Sequence, residues 1–326
     1  MVHAGSYDDR VESEIRIGVS SCLLGENVRF DGGHKRDPFL VGSFGRFVTW
    51  VPVCPEVEIG LGTPRESIRL ERREGEIRLV GPKSGRDLTQ VMRAYAERRV
   101  RALENAKLCG YVLKKDSPSC GMERVRVYDD KGVPARTGRG LFAEVLLQRL
   151  PNLPIEEEGR LSDARLRENF VERVFAYKRL SELFAGRWSV GDLVAFHTAE
   201  KLLVMAHSPE AYRRLGRRVA AAKGTPRTAL REGYSDELME ALKVLATPRK
   251  HANVMQHMLG HFSETLAPAE RQELLGLIGD HRHGLVPLVV PLTLIRHYVR
   301  RFDVAYLRGQ AYLDPHPKEL MLRNHV

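Results

Sequence analysis

The sequence has no apolar run approaching the roughly 18 residues a membrane span requires. Its start, MVHAGSYDDRVESE, is polar and acidic, which is not how a secretory signal begins. Both absences point to a soluble, cytoplasmic chain with no membrane partner. No internal repeat and no low-complexity stretch is found, which excludes a fixed-period array. Cysteine is scarce: four in 326 residues, none after Cys120, and no two spaced Cys-x-x-Cys. In a cytosolic protein this argues against disulfides and for metal or catalytic roles. The missing Cys-x-x-Cys means that spacing alone does not establish a metal site. No His-Glu-x-x-His accompanies His197, His207, His251, His257 and His261. Zinc catalysis is therefore not expected of them, and phosphate contacts or core hydrogen bonds are.

What is present in excess is positive charge. The formal net charge is +10. Residues 1–155 carry 26 Lys and Arg against 21 Asp and Glu, and residues 156–326 carry 26 against 21, so each half is +5. The basicity is spread through the chain, and it favours polyanionic partners, nucleic acid above all. The length suggests two domains, and a hydrophobic fraction of 43% is ample for two cores.

The first half alternates short apolar runs with amphipathic stretches. Residues 15–20 (IRIGVS), 48–53 (VTWVPV), 77–80 and 109–113 (CGYVL) read as strands, and residues 123–128 (ERVRVY) read as an edge strand. Residues 88–107 and 140–150 read as helices. This alternation predicts an α/β domain with a Rossmann-like, mostly parallel sheet. The segment PNLPIEEEGRL at 151–161 breaks the pattern. Beyond it a helix capped by Ser162 is expected, then helices near 191–206, 209–222, 235–246, 249–265, 268–280 and 289–312. The expected organisation is a disordered segment 1–13, an α/β domain 14–156 and an all-helical domain 157–326.

Three cysteines share a context. Cys22 follows IRIGVS, Cys54 ends VTWVPV, and Cys120 lies in a loop after CGYVL. Ligands of open α/β sheets sit beyond the carboxyl ends of the strands, where such loops converge. Cys109 opens a strand and reads as a buried thiol. Three readings stand for the other thiols: a soft metal centre, a zinc site completed by His34, or three unrelated core residues. An iron–sulfur cluster with three thiolates would keep one iron open as a Lewis acid. Glu56, two residues after Cys54, is a candidate general base. Ser117 and Ser119 are candidates for a hydrogen bond or proton relay, and otherwise serve turn chemistry. Asp31 is expected in a turn. In the second half, Arg213, Arg214, Arg217 and Arg218 fall within about two helical turns. Arg249 and Lys250 open another helix, and Arg296 and Arg300 mark a third. These are candidate RNA contacts, with Tyr212 and Tyr298 as exposed stacking partners.

The motifs SSCLLGENVRFDGG, PVCPEVEIGLGTPRESIRL, SGRDLT and KKDSPSCG, in order over about residues 14–155, resemble the TudS-like thiouracil desulfidases. The motifs FHTAEKLLVMAHSPEAYRRLG, RKHANVMQHMLGHF, VPLTLIRHYVRRF and YLRGQAYLDPHPKELMLR, over about 195–323, resemble the YbgA-like domain. Together they resemble the fused, RudS-type desulfidases that act on 4-thiouridine in tRNA. The resemblance implies a [4Fe–4S] cluster held by Cys22, Cys54 and Cys120, with one open iron for the substrate sulfur. It implies catalytic roles for Glu56 and Ser117 and a thiolated tRNA as partner. Free thiouracil is the alternative substrate, and a non-catalytic, cluster-bearing nucleic-acid sensor is the alternative class.

Overall fold

A computed structural model describes residues 14–325, so the disordered segment expected at 1–13 lies outside the described residues. The chain divides into two compact units between Arg149 and Leu150. The first is α/β with a parallel sheet, and the second is built of helices apart from one short strand, Ile155–Glu157, near its start. Among the described residues no helix is long and apolar enough to cross a membrane.

In the first unit, β1 (Arg16–Ser20) pairs in parallel with β2 (Thr49–Val53) on one side and β5 (Leu108–Leu113) on the other. β5 is buried at every position and β1 at all but its first residue. Such unbroken burial is what a parallel strand covered on both faces requires, and it explains the continuous apolar runs. Gly18 belongs to this packing, because a Cβ there would lie 2.1 Å from the Tyr111 ring. Helices α2 (Thr89–Glu104) and α3 (Leu141–Arg149) pack together, with Tyr95 and Phe142 ring centroids 6.2 Å apart.

Two of the strands read from the sequence, at 77–80 and 123–128, belong to a second sheet whose other two strands were not legible. It runs in the order β4-β3-β6-β7: β3 (Arg69–Arg73) and β4 (Glu76–Val80) form an antiparallel hairpin, β6 (Val125–Tyr128) lies parallel to β3, and β7 (Pro134–Gly138) closes the row. β6 is thus flanked on both sides and is not the edge strand its alternation suggested. β3 reads RLERR, whose charges hide its strand character; Arg69 and Arg73 each bond the Glu71 carboxylate between them at 2.8 Å. β7 is exposed along nearly its whole length and has no apolar signal.

The helical unit comprises α4 (Ala164–Phe184), α5 (Val190–His207), α6 (Pro209–Ala220), α7 (Arg227–Lys243), α8 (Pro248–Leu259), α9 (Pro268–Arg282), α10 (Val289–Arg301) and the single turn α11 (Ala305–Arg308). Three expectations are corrected. The cap of α4 is Asp163, whose carboxylate accepts from the amides of Arg165 and Leu166; the Ser162 hydroxyl donates to the Gly159 carbonyl instead. α7 begins eight residues before 235, running through Gly233. The Arg218 guanidinium lies close over that glycine, 2.4 Å from where a Cβ would stand. The helix expected to run to 312 stops at Arg301, where Asp303 takes a left-handed conformation.

The C-terminal segment is anchored by a buried charge network. Arg323 bonds Glu168 at 3.2 Å, Glu172 at 2.6 Å and the Tyr312 carbonyl at 2.6 Å. His207 reaches Glu172 at 3.2 Å, and His251 meets the Tyr312 hydroxyl at 2.9 Å. These two histidines serve core hydrogen bonds, as one of the two sequence readings held. Burial alone would raise the Glu172 carboxyl, but Arg323 and His207 hold it well below the usual range. Burial pushes His251 well below the usual histidine value, and burial with Lys201 takes His197 down to about 4.

Replacing Arg323 by Met strands two buried carboxylates and is expected to lower stability by about 3–5 kcal/mol in chemical denaturation. His197 and His251 are neutral when folded but take up a proton below about pH 6.5 when unfolded. Their contribution is therefore present at neutral pH and is lost as pH falls, so the melting temperature should decline between pH 7 and pH 5. A flat profile would refute the assignment.

Candidate functional site

The parallel order β2-β1-β5 sends three chain exits off one edge of the sheet, the place where open α/β sheets take ligands. After β1 comes a turn, Ser21–Leu24, closed by Gly25 at φ 101°. It carries Cys22. After β2, Cys54 is the extended residue preceding the short helix α1 (Pro55–Glu58), and its amide donates to the Glu58 carboxylate at 3.2 Å. After β5, the loop of residues 114–121 carries Cys120. The Ser117 hydroxyl oxygen accepts from the amides of Ser119 at 3.2 Å and Cys120 at 3.1 Å, and Gly121 N–H donates to the Ser117 carbonyl at 2.8 Å. Ser117 thus shapes the turn that presents Cys120. This is the turn chemistry its sequence allowed, and its own proton is left available to donate.

The three exits enclose a cavity of about 340 Å³, whose walls include Cys22, Cys54, Cys120, Glu56, Arg65 and Ser117. Arg29, Lys35, Lys114 and Lys115 also line it, which makes it cationic on balance. The thiols sense one another. Burial pushes Cys120 well above the usual thiol value, and the nearby charges of Glu56, Cys22 and Cys54 push it the same way, against a hydrogen bond from the Ser20 side chain. Burial raises Cys54 as well.

Glu56 sits in the first turn of α1. Its Oε2 pairs with the Arg65 guanidinium at 2.6 Å, and its Oε1 accepts from the Ser119 hydroxyl at 3.1 Å. The Arg65 side chain is 6% exposed, and it also donates to the carbonyls of Val28 at 3.0 Å and Gly62 at 2.7 Å. Arg65 was missed in the sequence. It stands in the PRES run, but nothing there signals a partner nine residues upstream. Ser20, which faces Cys120, was missed for the same reason.

The remaining candidates sort themselves. Cys109 lies near the start of β5, the opposite end from the cavity loops, and is buried. His34 is exposed, its Nδ1 accepts from the Arg36 amide at 3.2 Å, and it is not part of the cavity wall, so the Cys₃His zinc set does not form. Asp31 accepts from the Gly33 amide at 3.1 Å and pairs with Arg29, a turn role. In the helical unit, Arg214 pairs with Glu210 and Glu237, and Arg218 with Glu237. The Lys250 ammonium bonds the carbonyls of His207 and Leu245, and Arg296 bonds Asp314 and the Leu313 carbonyl. Arg213, Arg217, Arg249 and Arg300 are exposed. Tyr298, expected at the surface, is 3% exposed and stacks on Phe302 inside the helical core.

The donor set fits an iron–sulfur group. Three sulfurs suit a soft metal. Buried thiols beside a carboxylate stay protonated unless a cationic centre enters, which is what such a group supplies. Among the described residues, a set of three His, Cys, Asp or Glu side chains with donor atoms all within 4.8 Å of one another occurs only at Glu168, Glu172 and His316, so the thiols do not form the tight shell of a single zinc ion. A multi-iron group, whose ligands sit on different irons, accepts wider spacing.

Both halves of the chain are similar to known proteins. Residues 17–158 match the family model described as 2-thiouracil desulfurase, and residues 201–317 match a protein of unknown function, DUF1722. The chain is 34% identical over 164 residues to the uncharacterized protein YbgA of Escherichia coli (strain K12), covering 49% of this chain and 95% of that protein. It is 30% identical over 139 residues to the uncharacterized protein YbbK of Bacillus subtilis (strain 168), covering 40% of this chain and 89% of that protein. Among solved structures, a [4Fe–4S]-dependent thiouracil desulfidase, TudS, is 34% identical over 46% of this chain and 94% of that chain, with a TM-score of 0.36.

Proposed function

Because the chain belongs to the 2-thiouracil desulfurase family through its first half and to the DUF1722 family through its second, we propose that it removes sulfur from 4-thiouridine in tRNA, giving uridine and sulfide. The observation that carries this reading is the meeting of Cys22, Cys54, Cys120 and Glu56 around one cavity. When bound, a [4Fe–4S] cluster held by Cys22, Cys54 and Cys120 supplies an iron without a protein ligand, a Lewis acid for a thiocarbonyl sulfur.

The chain's own residues do the rest. Arg65 and Ser119 hold the Glu56 carboxylate from two sides and fix its direction. Glu56 takes a proton from the water that attacks the ring carbon. Ser117, whose oxygen already accepts two amides, donates its proton to the polar edge of the heterocycle. Carbon exchanges a bond to sulfur for a bond to oxygen, water is consumed, and hydrogen sulfide leaves, so the reaction is hydrolytic and moves no net electrons. The cationic residues of the cavity wall and the basic surplus of both halves support a polyanionic substrate. A second reading, free thiouracil, is favoured by the description of the family itself. A non-catalytic sensor has no use for a carboxylate clamped inside the cavity.

Purified without air, the chain is expected to carry about four irons. Cys22→Ala, Cys54→Ala and Cys120→Ala should each lose iron, while Cys109→Ala retains it. Equal iron in all four variants sinks the ligand set. Glu56→Gln is expected to keep the cluster absorbance and to slow desulfidation of thiolated tRNA by about 10²–10⁴-fold. Undiminished turnover removes Glu56 from the reaction, and turnover confined to free thiouracil selects the second reading.

A further inference from the structure

Two glutamates of α4, Glu168 and Glu172, stand four residues apart and share one face of the helix. They are 7% and 2% exposed. Like charges at this spacing destabilise a helix, and burial adds to the cost of each. Arg323 bonds one oxygen of each carboxylate and balances one of the two charges. The other two oxygens face His207 Nε2 at 3.2 Å and His325 Nε2 at 2.7 Å. Each of the four oxygens therefore has one partner among the described residues and a second lone pair unused.

A third acceptor meets them. His316, in the Asp-Pro-His-Pro run at 314–317, places a ring nitrogen within 4.8 Å of an oxygen of each carboxylate. Its Nδ1 lies 3.1 Å from the Pro317 carbonyl, which can only accept, so Nδ1 carries the proton and Nε2 a bare lone pair. That Nε2 is buried and has no hydrogen-bond partner among the described residues. Burial and the neighbouring Arg323 charge push the ring below the usual histidine value, so no second proton fills the gap at pH 7. Lone pairs from three side chains thus converge in a dry place with no hydrogen between them, an arrangement that is costly unless a cation enters. Histidines that bind metals give their other ring N–H to a backbone carbonyl in the same way. Zinc bonds of about 2.0–2.2 Å let ligand atoms stand up to about 4.4 Å apart, so small side-chain rotations close the set.

We propose that Glu168, Glu172 and His316 form a second metal site, separate from the cysteines, which takes a divalent transition-metal ion of the zinc type and ties the C-terminal segment to α4. Its donors are nitrogen and oxygen, which suit such an ion, whereas a sulfur-bridged iron group calls for the thiolates of the other unit. Arg323, His207 and His325 hold the carboxylates from outside and fix their direction.

The test uses the full chain carrying Cys22→Ala/Cys54→Ala/Cys120→Ala, so that any zinc counted lies outside the cysteine cavity. Stripped with a chelator and equilibrated with zinc alone, this parent should retain about one zinc per chain by elemental analysis. Because the ion binds the folded state, zinc should also raise its melting temperature. Glu172 is left unchanged, since removing it would strand Arg323. His316→Asn alters a half-buried side chain and spares the Arg323 pairs; added to the parent, it should abolish both the bound zinc and the zinc-induced rise. His257→Asn/His261→Asn removes an exposed histidine pair four residues apart, the place where zinc would bind adventitiously, and should leave both readouts as in the parent. A parent that holds no zinc overturns the proposal. So does zinc that persists after His316→Asn, or zinc that is lost with His257 and His261. The desulfidase reading stands or falls independently, because the cysteines that carry it are absent from every protein in this test.

Discussion

Parallel pairing of β2, β1 and β5 is the constraint on which the site depends. In a parallel row every strand ends on the same edge, so residues 22, 54 and 120, far apart in sequence, leave the sheet side by side. Antiparallel pairing of any one of these strands would have sent its cysteine to the far edge. The two-sided burial that parallel strands demand also accounts for Gly18, which lets the Tyr111 ring lie against β1.

The cavity brings together groups that oppose one another. Burial and a neighbouring carboxylate both oppose the ionisation of a thiol, and the raised values of Cys54 and Cys120 express that. Arg65 offsets part of it by pairing with Glu56 while tying down Val28 and Gly62, so one guanidinium sets both the charge and the shape of the wall.

In the helical unit the arginines divide into two kinds. Arg323 is interior and holds the end of the chain against α4 through Glu168 and Glu172, a pairing costly to break. Arg214 and Arg218 are neutralised by their neighbours, and Arg213 and Arg217 are not. A run of basic residues on one helix therefore presents a much smaller free surface than its composition suggests, because half its charges serve the fold.

The amino-acid sequence by itself determined the class of each half and singled out the three cysteines that line the cavity: continuous apolar runs mark buried parallel strands, 3.6-residue periodicity marks the helices, and the cysteine-bearing loops carry their motifs in the open. It was silent on β3 and β7, since RLERR and PARTG have no apolar alternation and are held by ladder hydrogen bonds and the Glu71 clamp. It did not reveal the Arg65 partner of Glu56, the buried position of Tyr298, or which arginines are free. Those facts are distances between residues remote in sequence, and only the folded chain decides them.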